Sequence, residues 1–316
     1  MDNAVKLETK KPLVNCVIVT YNRLELLKEA LAALELQSYP IQKIIVVDNC
    51  STDETPAFLA EKAKDNRYVI ERLKENVGGS GGFSHGMKVA VLHHCDYIWL
   101  MDDDTIPSPA ALKRLVEATT LEPEIGFVCS RVNWTDGEPH VMNKAGGLIY
   151  SDKEKKNPAR KCIGDVSGVY CSLCSFVSVL VNTQAVIRLG LPVKEFFIWC
   201  DDIEYTLRIS DAGYPCFYVE KSVVCHKTAS NYAPSIEKAP VSMAWRFYYQ
   251  ARNRCYIKRQ KGGNKLLFYF SVWNMYRVYK HRISRRPKEE RKEFLEAVRK
   301  GCRDGLTFYP PIEYVQ

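Results

Sequence analysis

The chain has 316 residues, of which 46% are apolar and 26% are charged, and its formal net charge at pH 7 is +8. This is the composition of an ordinary globular protein, long enough for one large domain or two smaller ones. The longest strongly apolar stretch near the C-terminus, residues 266–273, is far shorter than the roughly 20 residues that span a bilayer. Residues 1–12 contain no apolar core of signal-peptide length, so we expect no transmembrane helix and a cytoplasmic location.

Twelve cysteines would suit a secreted disulfide protein, but their positions argue against one. Many lie inside apolar strand-like runs, as Cys16, Cys129 and Cys225 do, so we expect buried free thiols in a reducing compartment. Cys171 and Cys174 form a CxxC pair with no second pair at zinc spacing, which does not favour a structural zinc site.

From Val14 to Asp102 the chain alternates strand-like and helix-like segments. Continuous β-branched apolar runs are typical of strands buried on both faces, and leucines at helical spacing indicate amphipathic helices. The predicted segments are, in chain order, strand 14–20, helix 23–37, strand 43–49, helix 51–65, strand 68–76, a glycine loop followed by helix 81–95, and strand 96–102. This alternation predicts an open parallel sheet with helices on both faces, in which ligands bind beyond the carboxyl ends of the strands.

The second half of the chain is less regular. Residues 147–161 are polar and predict a surface loop, and the β-rich run 169–182 precedes a short helix at 183–190. From Met243 onward, aromatic and basic residues mix at helical spacing, and two adjacent glycines (262–263) separate two helical segments.

Three adjacent carboxylates, Asp102, Asp103 and Asp104, follow the buried strand that precedes them. Carboxylates this close repel one another, and their burial costs several kcal/mol unless a cation or hydrogen bonds compensate. They are either a solvated acidic turn or a set of hard oxygen ligands for a divalent cation. Alternate members of such a triplet can point the same way, so that Asp102 and Asp104 would face the cation while Asp103 serves another partner.

Three further polar clusters lie at strand ends and should converge with the triplet on one cleft: TYNR (20–23), DNCSTD (48–53) and NVGGSGG (76–82). The glycines of the third cluster would let backbone amides approach a phosphate or a sugar closely. No Gly-Lys-Ser/Thr follows them, and they do not follow the first strand, so neither a Walker loop nor a dinucleotide fingerprint is indicated. A flexible turn is the alternative.

A second acidic pair, Asp201-Asp202, follows an aromatic run and precedes a helix predicted at 203–213. We expect one of the two aspartates to be the N-cap of that helix. The other lies beside aromatic residues that would raise its pKa and suit it to proton abstraction. His226, at the end of a short apolar strand, is either a packed core residue or a metal ligand.

In this order the motifs resemble those of the family-2 glycosyltransferases with the GT-A fold, over about residues 14–227. The segments that carry the resemblance are VIVTYNRLELLKEAL, IIVVDNCSTDET, NVGGSGGF, LMDDDT, FFIWCDDIEYTLR and CHK. NVGGSGGF, DDD, WCDDIEYTLR and ARNRCYIKR look most similar to the galactofuranosyltransferase branch, and rhamnosyltransferases that use dTDP-rhamnose are the near neighbours.

The resemblance implies an α/β fold, a GT-A-type Rossmann-like mixed sheet flanked by helices. The catalytic domain would occupy residues 1–240, with a nucleotide half at about 14–108 and an acceptor half at about 109–240. A helical C-terminal region, basic and aromatic, would follow at 241–316.

The resemblance also implies roles for individual positions. The residues that would bind the nucleotide sugar are Thr20, Tyr21, Arg23, Asp48, Asn76, Gly79 and Asp103, with Asp48 accepting a hydrogen bond from the base. The ligands of Mn²⁺ or Mg²⁺ would be Asp102, Asp104 and His226. Asp202 matches the catalytic base of inverting members, and Trp199 and Asp201 would lie at the acceptor.

The implied reaction is metal-dependent transfer of galactofuranose from UDP-galactofuranose to a polysaccharide or a lipid-linked acceptor, such as a polyprenyl-diphosphate-linked glycan, in cell-wall synthesis. A bound cation would neutralise the leaving diphosphate as a Lewis acid. Direct displacement by a deprotonated acceptor hydroxyl would invert the anomeric centre. Galactofuranosyl polymerases of the family carry additional domains for which this chain is too short, which favours one or a few additions.

Two other functional classes stay open. A nucleotidyltransferase has a similar sheet and metal carboxylates, but it would need a glycine-rich signature directly after the first strand, where VTYNRLE has no glycine. A non-catalytic sugar- or lipid-binding protein would have no use for the full acidic set.

Basic residues far outnumber acidic ones from Arg246 to Arg303, and aromatic residues lie among them. Nucleic-acid binding is not favoured, because no RNA- or DNA-binding signature accompanies them. An interfacial surface with Lys and Arg facing anionic lipid would suit a polyprenyl-linked acceptor at the inner face of the plasma membrane. The alternative is that the aromatic residues cover the catalytic domain and the charges are solvated.

Overall fold

The computed structural model describes residues 11–151 and 157–315. The segment at 1–10, where the sequence predicts no signal peptide, and the part of the predicted surface loop at 152–156 lie outside the described residues.

The first half of the chain forms a four-stranded parallel sheet, as the alternation predicts. The strands pair in the order β3-β2-β1-β4. They are β1 (Val14–Thr20), β2 (Lys43–Asp48), β3 (Tyr68–Arg72) and β4 (Tyr97–Asp102). The helices between them are α1 (Leu24–Glu35), α2 (Thr55–Lys62) and α3 (Gly78–Leu92). Strand β1 is buried on both faces, because Ile18 packs with Leu27 on one side and Val17 packs with Met87 on the other.

The second half extends this sheet into a mixed one. Its strands are β5 (Thr105–Pro107), β6 (Phe127–Asn133), β7 (Arg160–Ile163), β8 (Val166–Tyr170), β9 (Val179–Asn182) and β10 (Cys216–His226). Its helices are α4 (Ala111–Ala118), α5 (Thr183–Leu189) and α6 (Asp201–Asp211). The full order is β3-β2-β1-β4-β9-β6-β10-β8-β7, with β5 paired to β10 and β9 antiparallel to both of its neighbours.

The glycine-rich segment differs from its prediction. The sequence predicts a loop followed by a helix at 81–95, whereas helix α3 begins at Gly78 and contains all the glycines. These glycines allow close packing on the sheet. A Cβ atom at Gly82 would lie 2.6 Å from Val19 Cγ1, and one at Gly86 would lie 2.4 Å from Val17 Cγ1. Hydrophobic periodicity does not register such contacts, so the loop prediction was wrong for a packing reason.

The chain ends in three helices, α7 (Ala244–Gln260), α8 (Lys265–Ile283) and α9 (Arg291–Gly305). The predicted break between two helical segments is confirmed, because Gly262 and Gly263 have φ of +72° and +119°. Helix α9 lies in the region predicted to be helical, although no separate bounds were predicted for it, and it packs on α7 so closely that a Cβ at Gly301 would meet Tyr248 O at 2.3 Å. Among the helices of the described residues, none combines the length and apolar character that a bilayer crossing requires.

Candidate active site

The acidic triplet and His226 come together at one end of the sheet. Asp102 is the last residue of β4, and Asp103 and Asp104 form the turn into β5. Strand β5 pairs with β10 in a register that sets Thr105 opposite His226. As a result, ligand atoms of Asp102, Asp104 and His226 lie within 4.8 Å of one another, the one such group of acidic, histidine or cysteine ligands in the part of the chain that the structure describes.

The hydrogen bonds of His226 prepare it to bind a cation. Asn143 donates through Nδ2 to Ser175 Oγ, which directs its Oδ1 towards the imidazole, and His226 Nδ1 donates to that oxygen at 2.8 Å. The other nitrogen, Nε2, lies 2.9 Å from Asp104 Oδ1. In the neutral imidazole both of these atoms present lone pairs, so the contact requires a proton or a metal cation between them.

The contacts of Asp104 are also consistent with a proton or a metal cation between it and His226. Its buried Oδ1 contacts His226 Nε2 at 2.9 Å, whereas Oδ2 accepts from Arg23 Nη1 at 2.8 Å. Burial disfavours the imidazolium form of His226, but the hydrogen bond to Asp104, followed by the charges of Asp104 and Asp102, outweighs it and raises the pKa of His226. The donor set of two carboxylates and one imidazole therefore suits a divalent cation such as Mn²⁺.

The pKa values of the three carboxyl groups are shifted differently. Burial, followed by the charge of Asp104, raises the pKa of Asp102 to about 7. Burial raises the pKa of Asp103 to about 6 against the opposing charge of Arg23. Burial alone would raise the pKa of Asp104, but His226 and Arg23 hold it below its ordinary value. A bound cation would favour the ionised form of all three.

Asp103 faces a different partner from its two neighbours. Its Oδ2 accepts from Thr20 Oγ1 at 2.8 Å and its Oδ1 from Arg23 Nη1 at 3.3 Å. Thr20 ends β1, so the acidic turn is joined directly to the adjacent strand. Tyr21, next along the chain, is exposed beside this contact.

The remaining residues that the sequence predicts to bind the nucleotide sugar lie at the ends of neighbouring strands of the same sheet. Asp48 ends β2, where its Oδ1 accepts from Ser51 N at 2.8 Å. Asn76 precedes α3 and its Oδ1 accepts from Gly78 N at 2.9 Å. Gly79 faces open space, since a Cβ built there would meet no atom of the described residues within 4 Å. The hydrogen bonds of Asp48 and Asn76 are made to residues two or three positions along the chain. They do not fill the open space at Gly79, which a ligand can reach.

The second acidic pair begins α6, which corrects the N-cap prediction. The N-cap position belongs to Cys200, so Asp201 and Asp202 are the first two helical residues. The residues before them are conformationally strained, because Phe197, Trp199 and Cys200 have φ of +66°, +64° and +70°. A non-glycine residue in this region costs roughly 1–3 kcal/mol, and such strain is concentrated at functional sites.

These residues belong to a loop at 196–200, called the strained loop below, which packs on the glycine-rich start of α3. Ser80 N donates to Phe197 O at 3.2 Å, and a Cβ at Gly78 would lie 2.0 Å from the same oxygen. Only a glycine at position 78, which has φ of +75°, permits this approach. The donor-side glycines and the loop that carries Asp202 are therefore in direct contact.

Asp201 and Asp202 both have raised pKa values. Burial raises the pKa of Asp201 to about 6. Burial, followed by the charge of Asp201, raises the pKa of Asp202 to about 8. Asp202 Oδ1 accepts from Ile203 N at 2.7 Å, and its side chain is half-buried. Once it is ionised, a carboxylate with so high a pKa binds a proton more strongly than an ordinary aspartate does, which suits proton abstraction.

Sequence reasoning missed Arg246 on α7. Its guanidinium lies 5.3 Å from the Trp245 ring centroid and 5.9 Å from that of Trp199, and its Nε is buried without a hydrogen-bond partner among the described residues. Burial, followed by the positive charge of Arg23, lowers the pKa of Arg246. Among the described residues no carboxylate forms an ion pair with Arg246, and the charge of Arg23 acts on it. Its helical spacing indicated only a basic face, so no sequence signal separated it from the other basic residues.

Comparison with known proteins gives sequence relatives over most of the chain. The sequence pattern of the family described as Glycosyl transferase family 2 matches residues 16–176. Galactofuranosyltransferase GlfT1 of Mycolicibacterium smegmatis is 27% identical over 305 residues, 94% of this chain and 98% of the relative. GlfT1 of Mycobacterium tuberculosis is 26% identical over 272 residues, 80% and 84% of the two chains. Poly-beta-1,6-N-acetyl-D-glucosamine synthase of Staphylococcus aureus is 26% identical over 147 residues, 44% and 33%.

Two solved structures share the fold. GalNAc-T7 with UDP, GalNAc and Mn²⁺ superposes with a TM-score of 0.56 at 14% identity, over 77% of this chain and about half (51%) of that chain. Mannosyltransferase PcManGT from Pyrobaculum calidifontis, in complex with GDP-Man and Mn²⁺, superposes with a TM-score of 0.54 at 16% identity, over 93% and 70%. The predicted fold class, a GT-A-type mixed sheet flanked by helices, is confirmed.

Proposed function

Because the chain belongs to glycosyltransferase family 2, we propose that it transfers galactofuranose from UDP-galactofuranose to a lipid-linked or polysaccharide acceptor, with inversion at the anomeric carbon. The observation that carries the proposal is the group of Asp102, Asp104 and His226, whose ligand atoms lie within 4.8 Å of one another at the sheet end where donors bind. The choice of donor sugar is supported by similarity to galactofuranosyltransferases over 94% of this chain and 98% of the relative.

In this proposal Asp102, Asp104 and His226 hold Mn²⁺ or Mg²⁺, which would neutralise negative charge on the leaving diphosphate. Arg246 would add a second positive charge, because its buried Nε has no hydrogen-bond partner among the described residues. Asp202 accepts the proton of the acceptor hydroxyl as that oxygen attacks the anomeric carbon. The charge of a bound cation would also lower the pKa of Asp202 from about 8 and keep it ionised at neutral pH.

The remaining roles follow from position along the sheet. The residues proposed to hold the nucleotide sugar are Thr20, Tyr21, Arg23, Asp48, Asn76, Gly79 and Asp103. Trp199 and Asp201 would border the acceptor. The nucleotide half would then occupy about residues 14–108, the acceptor half about 109–240, and the helical region 241–316 would complete the acceptor side.

A lipid-linked acceptor fits the outer surface of α8. Four apolar side chains are highly exposed there: Leu266 (74%), Leu267 (67%), Phe270 (63%) and Trp273 (51%). Arg277 continues the line of Leu266, Phe270 and Trp273 at helical spacing, so the apolar half of this face leads into a basic half. Such a face suits peripheral contact with an anionic membrane, at the inner face of the plasma membrane in this proposal.

The test is nucleotide release by purified protein from UDP-galactofuranose, UDP-galactose and dTDP-rhamnose, with Mn²⁺ and with EDTA. We expect UDP release from UDP-galactofuranose that EDTA abolishes. Asp202→Asn should abolish transfer, and Asp211→Asn, an exposed aspartate at the other end of α6, is the matched control that should not. UDP release that survives both EDTA and Asp202→Asn would refute the mechanism.

The other nucleotide substrates separate the alternatives. Faster turnover of dTDP-rhamnose than of UDP-galactofuranose would identify a rhamnosyltransferase. Release of pyrophosphate from a nucleoside triphosphate would identify a nucleotidyltransferase.

A further inference from the structure

Asn253 on α7 holds the strained loop that precedes Asp202. The Asn253 side chain is completely buried. Its Nδ2 donates to three backbone carbonyl oxygens of the loop, those of Phe196 at 3.0 Å, Ile198 at 3.2 Å and Trp199 at 2.9 Å. One amide group therefore satisfies most of the carbonyl groups of a turn that lies 54–57 residues away in the chain.

Arg252 reinforces the same contact. Its guanidinium donates to Glu195 O at 2.6 Å and to Phe196 O at 3.2 Å. It also donates to Asn253 Oδ1, from Nε at 3.1 Å and from a terminal nitrogen at 3.0 Å, which orients the amide with its N–H groups towards the loop. The ring of Phe308 covers the guanidinium at 3.9 Å.

The loop needs external support because its own conformation is unfavourable. Three of its four residues from Phe197 to Cys200 have positive φ, and residues in this region persist only where the surroundings determine them. Ser80 N holds the opposite side of the loop through Phe197 O. The loop is thus held between α3 and α7, and Asp201 and Asp202 follow it directly.

We propose that Asn253 is a positioning residue for the reaction: its amide fixes the left-handed turn that sets where the first turn of α6 presents Asp202. This inference rests on the proposed role of Asp202 as the base. It explains part of the ARNRCYIKR segment (251–259), whose Arg252 and Asn253 both contact the loop. Asn253 then connects the outer helical region to the loop that precedes Asp202.

A buried asparagine that only satisfies carbonyl groups would affect stability and leave the chemical step unchanged. Two substitutions and a control separate these cases. Asn253→Ala removes the whole contact, whereas Asn253→Asp keeps the acceptor oxygen for Arg252 and removes the N–H donors. Cys255→Ala, at a fully buried position two residues further along α7, is the matched control for a loss of packing.

The assay is transfer from UDP-galactofuranose to a synthetic octyl galactofuranoside, with thermal unfolding and amide hydrogen exchange of residues 196–203 measured on each unliganded variant. We expect kcat to fall by about 100-fold in both Asn253 variants, because a displacement of about 1 Å at a reacting group has that effect. The donor KM should stay near its wild-type value. Exchange at 196–203 should accelerate. Cys255→Ala should lower the unfolding temperature with no change in kcat or in exchange at 196–203.

Each contrary result has one meaning. Wild-type kcat in folded Asn253→Asp, or the same loss of kcat in Cys255→Ala, would overturn the positioning role of Asn253. Unchanged exchange at 196–203 in both Asn253 variants would overturn the support of the loop by its amide. Absence of nucleotide release by the wild-type protein from every nucleotide sugar would instead overturn the proposed function, and the positioning role with it.

Discussion

The contact between Gly78 and the strained loop predicts a sharp difference between two adjacent glycines. A Cβ at Gly78 would lie 2.0 Å from Phe197 O, whereas real Cβ contacts stay above 3.0 Å, so Gly78→Ala must displace the loop by about 1 Å. The φ of +75° adds roughly 1–2 kcal/mol for alanine. Loss of the Ser80 N to Phe197 O hydrogen bond adds about 1 kcal/mol. We expect Gly78→Ala to lower the free energy of unfolding by about 2–3 kcal/mol.

Gly79→Ala is the control, and its sign is opposite. A Cβ at Gly79 meets nothing within 4 Å, and the residue lies in the first turn of α3. Alanine is favoured over glycine in helices by about 0.5–1 kcal/mol, so the variant should be slightly stabilised.

Thermal unfolding followed by circular dichroism compares both variants with the wild type in one buffer. Gly78→Ala should unfold roughly 5–10 °C lower than the wild type. An unfolding temperature for Gly78→Ala at or above that of the wild type, or equal losses in the two variants, would refute the packing argument. The UDP affinity of Gly79→Ala then tests the donor contact proposed for that residue.

Three further predictions concern charge. His226→Ala should raise the Mn²⁺ concentration for half-maximal UDP release by more than about 10-fold, and an unchanged Mn²⁺ titration would exclude His226 as a ligand. Arg246→Ala should weaken UDP binding by about 10-fold in calorimetry and leave uridine binding unchanged. The control Arg299→Ala, at an exposed position, should leave both unchanged. Equal losses of affinity for UDP and uridine would argue against a phosphate contact. Hydrogen bonds from Lys194 and Lys88 lower the pKa of Glu313 from 4.5 to about 2, so its stabilisation is complete above pH 4.5 and is lost as the pH falls towards 2. Glu313→Gln should therefore lower the free energy of unfolding by about 1 kcal/mol at pH 7, a value limited by solvent screening. The difference between variant and wild type should shrink below pH 4.5. A difference that does not change with pH would contradict the ion pairs.

The parallel half of the fold is predictable because its signals are local. Val14–Thr20 is mostly apolar on both of its faces, as a strand buried on both faces requires, and the acidic turn after β4 follows from its sequence position. The expectation that Asp103 would face a different partner from Asp102 and Asp104 also depends only on alternation along the chain. In the structure Asp102 and Asp104 lie beside His226, whereas Asp103 accepts a hydrogen bond from Thr20.

The parts that sequence reasoning missed depend on contacts between distant segments. The helical form of the glycine segment depends on β1, which approaches Gly82 and Gly86. The roles of Arg246 and Asn253 depend on contacts with Trp199 and its neighbours, about 50 residues earlier in the chain. Periodicity reports which face of a helix is apolar, but it carries no information about which distant carbonyl group a buried amide will meet.

The insertion of β9 beside β4 has a consequence for the order of folding. The strand that carries Asp102 has β1 on one side and β9, residues 179–182, on the other. During synthesis, β4 is an open sheet edge with unpaired peptide groups until β9 has emerged from the ribosome, about 80 residues later. A fragment cut at residue 176, the limit of the family pattern, would keep that edge permanently and should aggregate through it.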